Sequence, residues 1–276
     1  LQVKEYLKTS KESSIAAFDS AEAEMQKIMA KAHDEIKHPD RVALLKDIEQ
    51  LNSEYTQTFH NVVVANMNRR HDIVNNILNV KGPFIEKNLS KVMDSAFKDG
   101  DATAAFHGGV AQKHLLLGRL YAFRFLVDND DKSRQRVISE FAMTKDGLET
   151  LMSELQNPER RRLTQEAIRA IEEYQAGFEQ VVDAINKRNS AVSDILDKNG
   201  PIMAKDTEEL RDSVFDSLNK QGDIAEESVQ ETEVMIIILT LVASVIGILI
   251  AYVVMRGIVT PITQTNTMLK DIAEGE

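Results

Sequence analysis

From Val234 to Met255 the chain reads VMIIILTLVASVIGILIAYVVM, 22 residues without a charge. As a helix rising 1.5 Å per residue, this run is roughly 33 Å long, the thickness of a bilayer's hydrocarbon core. It is expected to cross a membrane. Glu231 and Glu233 precede it, while Arg256 and, further on, Lys270 follow it. The positive-inside tendency then places the C-terminal end in the cytoplasm and residues 1–233 outside. An external domain of that size needs a tether at its front. The chain starts at Leu1-Gln2-Val3, so it is expected to be a fragment lacking a first membrane helix, or a chain freed of a signal peptide.

Residues 234–276 hold Arg256 and Lys270 against Asp271, Glu274 and Glu276, which leaves −10 of the total charge of −11 on residues 1–233. Such a surface argues against nucleic acid, whose phosphates demand a basic face. With no cysteine, the chain has neither a disulfide scaffold nor a thiol nucleophile. Catalysis finds no support either. The histidines at 33, 38, 60, 71, 107 and 114 form no His-Glu-x-x-His, no glycine-rich phosphate cradle is present, and His107 with His114 makes too few ligands for a metal site. No cofactor is implied.

Before the apolar run almost everything reads as helix. Prolines stand only at 39, 83, 158 and 201, and the stretches between are rich in Ala, Glu, Lys, Leu, Gln and Met. The runs are expected at about 1–37, 40–81, 84–98, 102–129, 132–156, 159–199, 202–220 and from 223 onward. His38-Pro39 and Asn157-Pro158 place a proline in the first turn of a new helix.

Two stretches are nearly the same. NRRHDIVNNILNVKGPFI from Asn68 matches NKRNSAVSDILDKNGPIM from Asn186 at an offset of 118. Just before them Tyr55, Phe59 and Val63 match Tyr174, Phe178 and Val182 at an offset of 119, so one residue drops out of the second copy. The repeat reads as a unit of about sixty residues following each His-Pro or Asn-Pro break. Each copy carries a Gly-Pro, Gly82-Pro83 and Gly200-Pro201, that either reverses the chain or kinks a long helix; the apolar pattern resumes directly after both, which favours the kink.

Residues 256–276, RGIVTPITQTNTMLKDIAEGE, begin a short amphipathic helix at Pro261-Ile262, with Leu269 and Ile272 before an acid-glycine-acid stop. This stretch resembles the first helix of a HAMP linker. With it, the whole chain resembles the sensory half of a bacterial methyl-accepting chemotaxis receptor with a helical bimodular ligand-binding domain. That likeness rests on the length of 1–233, on LLLGRLYAFRFLVDND from Leu115 to Asp130, and on the two Gly-Pro sites followed by Gly100-Asp101 and Gly222-Asp223. It implies an all-α, elongated periplasmic domain (1–233) of two stacked four-helix-bundle modules, six helices with two of them long, then a transmembrane helix (234–255) and the start of the linker (256–276). It also implies the bacterial inner membrane, a homodimer, a small organic acid such as a tricarboxylic-cycle intermediate or acetate as ligand, and a histidine kinase and adaptor on the cytoplasmic side. Transmembrane histidine kinases carry the same sensor and linker, so the output module stays open.

Arginines with apolar neighbours are the candidate ligand contacts, because a buried guanidinium requires an anion. Arg119 shares a helix face with Leu115 and Phe123, and Arg124 lines up with Leu117 and Leu120; Tyr121 adds a hydroxyl. Arg70 and Arg188 are matched by the repeat, and Arg211 follows the second Gly-Pro. Dicarboxylate-binding members of the family also use first-helix arginines, and here none precedes Arg41.

Overall fold

The computed structural model describes residues 2–225 and 232–254, excepting the side chains of 220–225, 232–238, 251, 253 and 254. Every described element is helical. Helices α1 (Gln2–Thr9) and α2 (Glu12–Glu35) are followed by α3 (Pro39–Thr58), α4 (Ala65–Ile73) and α5 (Asn79–Lys98), joined by π-helical turns at Phe59–Val64 and Val74–Leu78. Then come α6 (Ala102–Asp128), α7 (Asp131–Glu154) and α8 (Pro158–Ala191), a third π-turn at Val192–Leu196, α9 (Asp197–Ala225) and α10 (Thr232–Val254). The chain is therefore helical without interruption from 39 to 98 and from 158 to 225.

Gly82-Pro83 lies inside α5 and Gly200-Pro201 inside α9, so neither reverses the chain. The helices continue through both sites, as the apolar pattern resuming after them favoured, although the runs were expected to pause there, and α9 also runs through the glycine at 222. Pro83 has no N–H to give the Asn79 carbonyl, and Pro201 has none for Asp197. The strain is taken up one turn earlier. The Asn79 N–H bonds the carbonyls of Ile77 and Val74, and the Asp197 N–H bonds those of Ile195 and Val192, a matching wide turn at an offset of 118. The break after α1 was not expected. Ser10 takes a left-handed conformation at φ 55°, and no glycine or proline marks it.

The π-turn at Phe59–Val64 has no counterpart in α8. It falls where the repeat offset changes from 119 to 118, so the first copy absorbs its extra residue as a π-bulge, the usual form of a one-residue insertion in a helix. The repeat is also longer than the sixty residues expected from sequence. Val3, Tyr6, Ser14, Met29 and Ala32 are buried, and so are Ala122, Phe125, Ser133, Leu148 and Leu151, each 119 further on. Asn129, at φ 55°, is the counterpart of Ser10. The duplication thus reaches back at least as far as α1.

The chain forms two compact units, residues 1–61 with 191–276, and residues 62–190. Each combines the first half of one copy with the second half of the other. The larger core belongs to the 62–190 unit and draws on α5, α6, α7 and α8, with Ile85, Leu89, Leu115, Phe141, Leu148, Ile171 and Phe178 buried. Each such side chain contributes about 1.5–3 kcal/mol. Gly177 of α8 lets the π-turn at Val74–Leu78 come close: a Cβ there would stand 2.8 Å from Ile77 Cγ2 and 3.4 Å from Leu78 Cδ2. Gly177→Ala is expected to cost about 1–3 kcal/mol by overpacking, read from urea unfolding.

Tyr174 packs against Phe141, their ring centroids 4.7 Å apart. Burial pushes its phenol up to about 12, against the pull of the Arg119 charge. A folded value above the unfolded one of 10.0 means that the stabilisation is complete below pH 10 and is lost as pH rises through about 12. Tyr174 alone should take roughly 2–3 kcal/mol from stability across that window, and Tyr174→Phe should reduce the fall by that amount in denaturant titrations at the two pH values, the rest coming from Tyr6 and Tyr55, whose phenols burial also raises.

In the other unit Phe18 packs on Tyr55 and Phe59, and Tyr6 meets Phe59 edge-on. A second cluster joins Met29 and Ala32 of α2, Leu45 and Ile48 of α3, and Leu210 of α9. A cavity of about 460 Å³ opens beside it, closed on one side by Val242, Ala243, Ile246, Leu249 and Ile250 of α10. Leu241, Ile248 and Tyr252 of α10 face outward, each at least half exposed.

Among the described residues no helix is long and apolar enough to cross a membrane. The expected span Val234–Met255 falls on α10, whose side chains are described only at 239–250 and 252. Residues 256–276, with the linker-like stretch, lie outside the described residues.

Candidate anion site

Arg70 is carried by α4, the short helix between two π-turns, and Arg188 by the end of α8. Both reach the last turn of α6. Arg70 Nη2 donates to the Leu126 carbonyl at 3.0 Å, and its Nε is buried with no partner. Arg188 donates through Nη2 to Asn129 Oδ1 at 3.4 Å and through Nη1 to Met67 Sδ at 3.2 Å, while its Nε bonds Asn189 Oδ1 at 3.1 Å. Burial lowers the pKa of both guanidinium groups, and the charge of Arg70 lowers that of Arg188 further. Two cations therefore sit close enough to repel each other.

Among the described residues neither has a carboxylate partner. Their neighbours do: Arg69 pairs with Asp183 at 3.3 Å, Lys187 with the same carboxylate at 2.9 Å, and Arg134 with Glu179 at 3.0 Å. In a chain with 44 acids and 33 Lys and Arg, leaving two half-buried arginines unpaired is unusual. The C-terminal carbonyls of α6 offset about half a charge. A surplus of positive charge remains, partly desolvated, with hydrogen-bond donors in planar forks. That arrangement accepts a carboxylate or another oxyanion.

The remaining candidates stand elsewhere. Arg119 is half-buried and lies across the backbone of Gly82, where a Cβ would be 2.6 Å from its Nε; this close crossing explains the glycine of the first Gly-Pro. It has no ion pair or hydrogen bond among the described residues, and its charge is felt by Tyr174. Arg124 is exposed, 5.8 Å from the centre of the Tyr121 ring, and Arg136 stands 5.5 Å from the same ring. Arg119, Arg124 and Tyr121 thus do not form a site with Arg70 and Arg188. Arg211 is neutralised by Asp212 at 2.7 Å and Glu208 at 3.1 Å, which removes the motive for reading it as a ligand contact. It lines the apolar cavity, where Asn52 is likewise engaged, donating to Glu22 at 2.9 Å.

Sequence reasoning missed Leu126, Asn129 and Met67. Asn129 had a visible signal, since it ends LLLGRLYAFRFLVDN before two aspartates in the manner of a left-handed helix stop. Leu126 contributes only a carbonyl, which no side-chain pattern announces. His114 and His107 each stand beside a glutamate, Glu140 at 2.6 Å and Glu154 at 3.4 Å, and among the described residues no group of three metal-ligating side chains converges. No protein-family model matches the chain, and no curated protein or solved structure matches it.

Proposed function

We propose that the chain is the ligand-sensing and signal-transmitting part of a bacterial transmembrane chemoreceptor, binding a small organic acid between Arg70 and Arg188. The observation that carries this reading is the convergence of two unpaired guanidinium groups from equivalent positions of an internal duplication. A binding anion replaces their repulsion by two charge-assisted contacts, each worth about 1.5–3 kcal/mol. It draws together the two helical runs that bear them. Arg70 sits between π-turns, whose wider hydrogen-bonding ring makes a small shift of α4 cheaper than a shift of regular α-helix. Arg188 stands on the run that continues through α9 toward α10, so the same anion acts on the segment leading to the uncharged stretch Val234–Met255. In this reading that stretch is the membrane span, drawn away from the cavity beside α2 and α3 that it closes in the structure, with a two-module helical sensor outside and a HAMP linker beginning at 256 inside.

Calorimetric titration of the 276-residue chain in detergent with monocarboxylates, dicarboxylates, amino acids, phosphate and sulfate tests the proposal. One anion should bind per chain, with affinity falling as chloride is raised. A panel without a binder sinks it.

A further inference from the structure

Each copy of the repeat has an arginine in the first turn of its long helical run, Arg41 in α3 and Arg160 in α8, and the two differ in what neutralises them. At Arg160 the chain supplies the acceptors. The Asp99 and Asp101 carboxylates take the guanidinium, and Asn157 Oδ1 caps the N–H groups of Glu159 and Arg160 at 3.0 and 3.2 Å. At Arg41 each of these acceptors has been replaced. Ser217 and Asn219 stand where the offset of 118 puts Asp99 and Asp101, and His38, the counterpart of Asn157, makes no side-chain cap. Arg41 donates to the hydroxyl and carbonyl of Ser213 at 3.0 and 2.7 Å and to the Ser217 hydroxyl, using only Nε and Nη2. Among the described residues its Nη1 has no partner and its charge no carboxylate, and the N–H groups of Asp40 and Arg41 have no side-chain acceptor.

Arg41 opens onto a cleft of about 570 Å³ between the start of α3 and one face of α9, within the unit formed by residues 1–61 and 191–276. Both signs of charge line it. Arg41 and Lys205 are cations with no acid partner among the described residues, and Glu209 and Asp216 are acids with no basic one. The other two acids of the lining, Glu208 and Asp212, are held by Arg211 at 3.1 and 2.7 Å. Asp40, in the first turn of α3, is 91% exposed and turned to water. A guanidinium with a free edge, beside two uncapped N–H groups at a helix start, takes an oxyanion. The free acids on α9 repel a bare anion, and they attract a cation carried next to it.

We infer that this cleft binds a small zwitterion, an oxyanion with an ammonium group a few bonds away. The oxyanion sits on Arg41 and the start of α3, in the role that Asp99 and Asp101 fill in the other copy, and the ammonium faces Asp216 and Glu209. The hydroxyls of Ser213 and Ser217, one turn apart on α9, add donors beside the guanidinium. The site is separate from Arg70 and Arg188 and does not depend on them.

Calorimetry on the full 276-residue chain carrying Arg70→Gln/Arg188→Gln keeps the two sites apart. O-phosphoethanolamine and alanine are titrated beside phosphate, acetate and ethanolamine, each of which carries charge of one sign. At least one zwitterion should bind saturably, about tenfold tighter than its single-sign counterparts, as one added charge-assisted contact requires. Ser217→Asp restores the carboxylate of the other copy; it should weaken that binding about tenfold or more while holding or raising the melting temperature. Arg41→Gln should weaken binding likewise, and Asp216→Asn should erase the preference for the zwitterion. Phosphatidylethanolamine bilayers identify the source: the soluble probe is displaced if a lipid headgroup is the occupant and binds as in detergent if a free solute is. No binding of either zwitterion, equal binding of phosphate or acetate, or an affinity unmoved by both Ser217→Asp and Arg41→Gln overturns the inference.

Discussion

Arg160→Ala is expected to destabilise the 62–190 unit by about 2–3 kcal/mol, through loss of the charge-assisted hydrogen bonds that a buried guanidinium makes to two partly exposed carboxylates. The Arg160 side chain is 5% exposed. It donates to Asp101 Oδ2 at 2.8 Å, to the Asp99 carboxylate, and to the hydroxyl and carbonyl of Ser95 at 3.0 and 3.3 Å. One guanidinium therefore ties the start of α8 to the end of α5 and to the turn that opens α6. Its loss unties these elements, while Asp99 and Asp101, 57% and 39% exposed, turn to water. The repeat supplies an internal control. Arg41, 119 residues earlier, makes the corresponding contacts to the Ser213 hydroxyl and carbonyl at 3.0 and 2.7 Å and to the Ser217 hydroxyl. Those partners are neutral and the side chain is partly exposed, so Arg41→Ala should cost about 1–2 kcal/mol. Urea unfolding followed by far-ultraviolet circular dichroism compares the two; equal losses would show that the carboxylates around Arg160 contribute nothing beyond the serines.

The second large effect is on binding. Arg188→Met keeps an unbranched apolar stem and removes the charge, and it should weaken anion binding by about a hundredfold, as the loss of one or two charge-assisted contacts requires. The same substitution should leave the anion-free protein as stable as before or slightly more so. Arg188 has no acid partner among the described residues and is repelled by Arg70, so its removal relieves more than it costs. A structural arginine such as Arg160 shows the opposite pattern. Thermal melts with and without the anion separate the two: the variant should keep its melting temperature and lose the anion-induced rise.

Much of this was legible in the chain, and the parts that were not share a cause. The helical content follows from composition and proline placement, and the match of Arg70 to Arg188 follows from the repeat. Whether Gly82-Pro83 bends or ends a helix was not decidable locally, because the relief lies one turn upstream in a π-turn whose sequence, Val74-Asn75-Asn76-Ile77-Leu78, is ordinary. The break at Ser10 has no glycine, proline or asparagine to mark it, and Tyr6, whose carbonyl accepts from the Ser10 N–H, packs edge-on against Phe59. Arg119 and Arg124 drew attention through their apolar neighbours, but on a helix apolar on two faces such neighbours do not say which face is buried. Arg211 did carry a warning in its sequence, with Glu208 three residues before it and Asp212 directly after. What no single helix could reveal was that two arginines 118 residues apart end at the same turn of α6.

The most direct measurement is calorimetry on the wild-type chain and the Arg70→Gln/Arg188→Gln double variant with the tightest-binding anion of the panel, in one buffer and at one chloride concentration. The proposed site requires saturable one-to-one binding to the wild type and no measurable heat with a double variant that melts at the wild-type temperature. Equal affinity in both proteins would contradict it, and would place the anion away from Arg70 and Arg188.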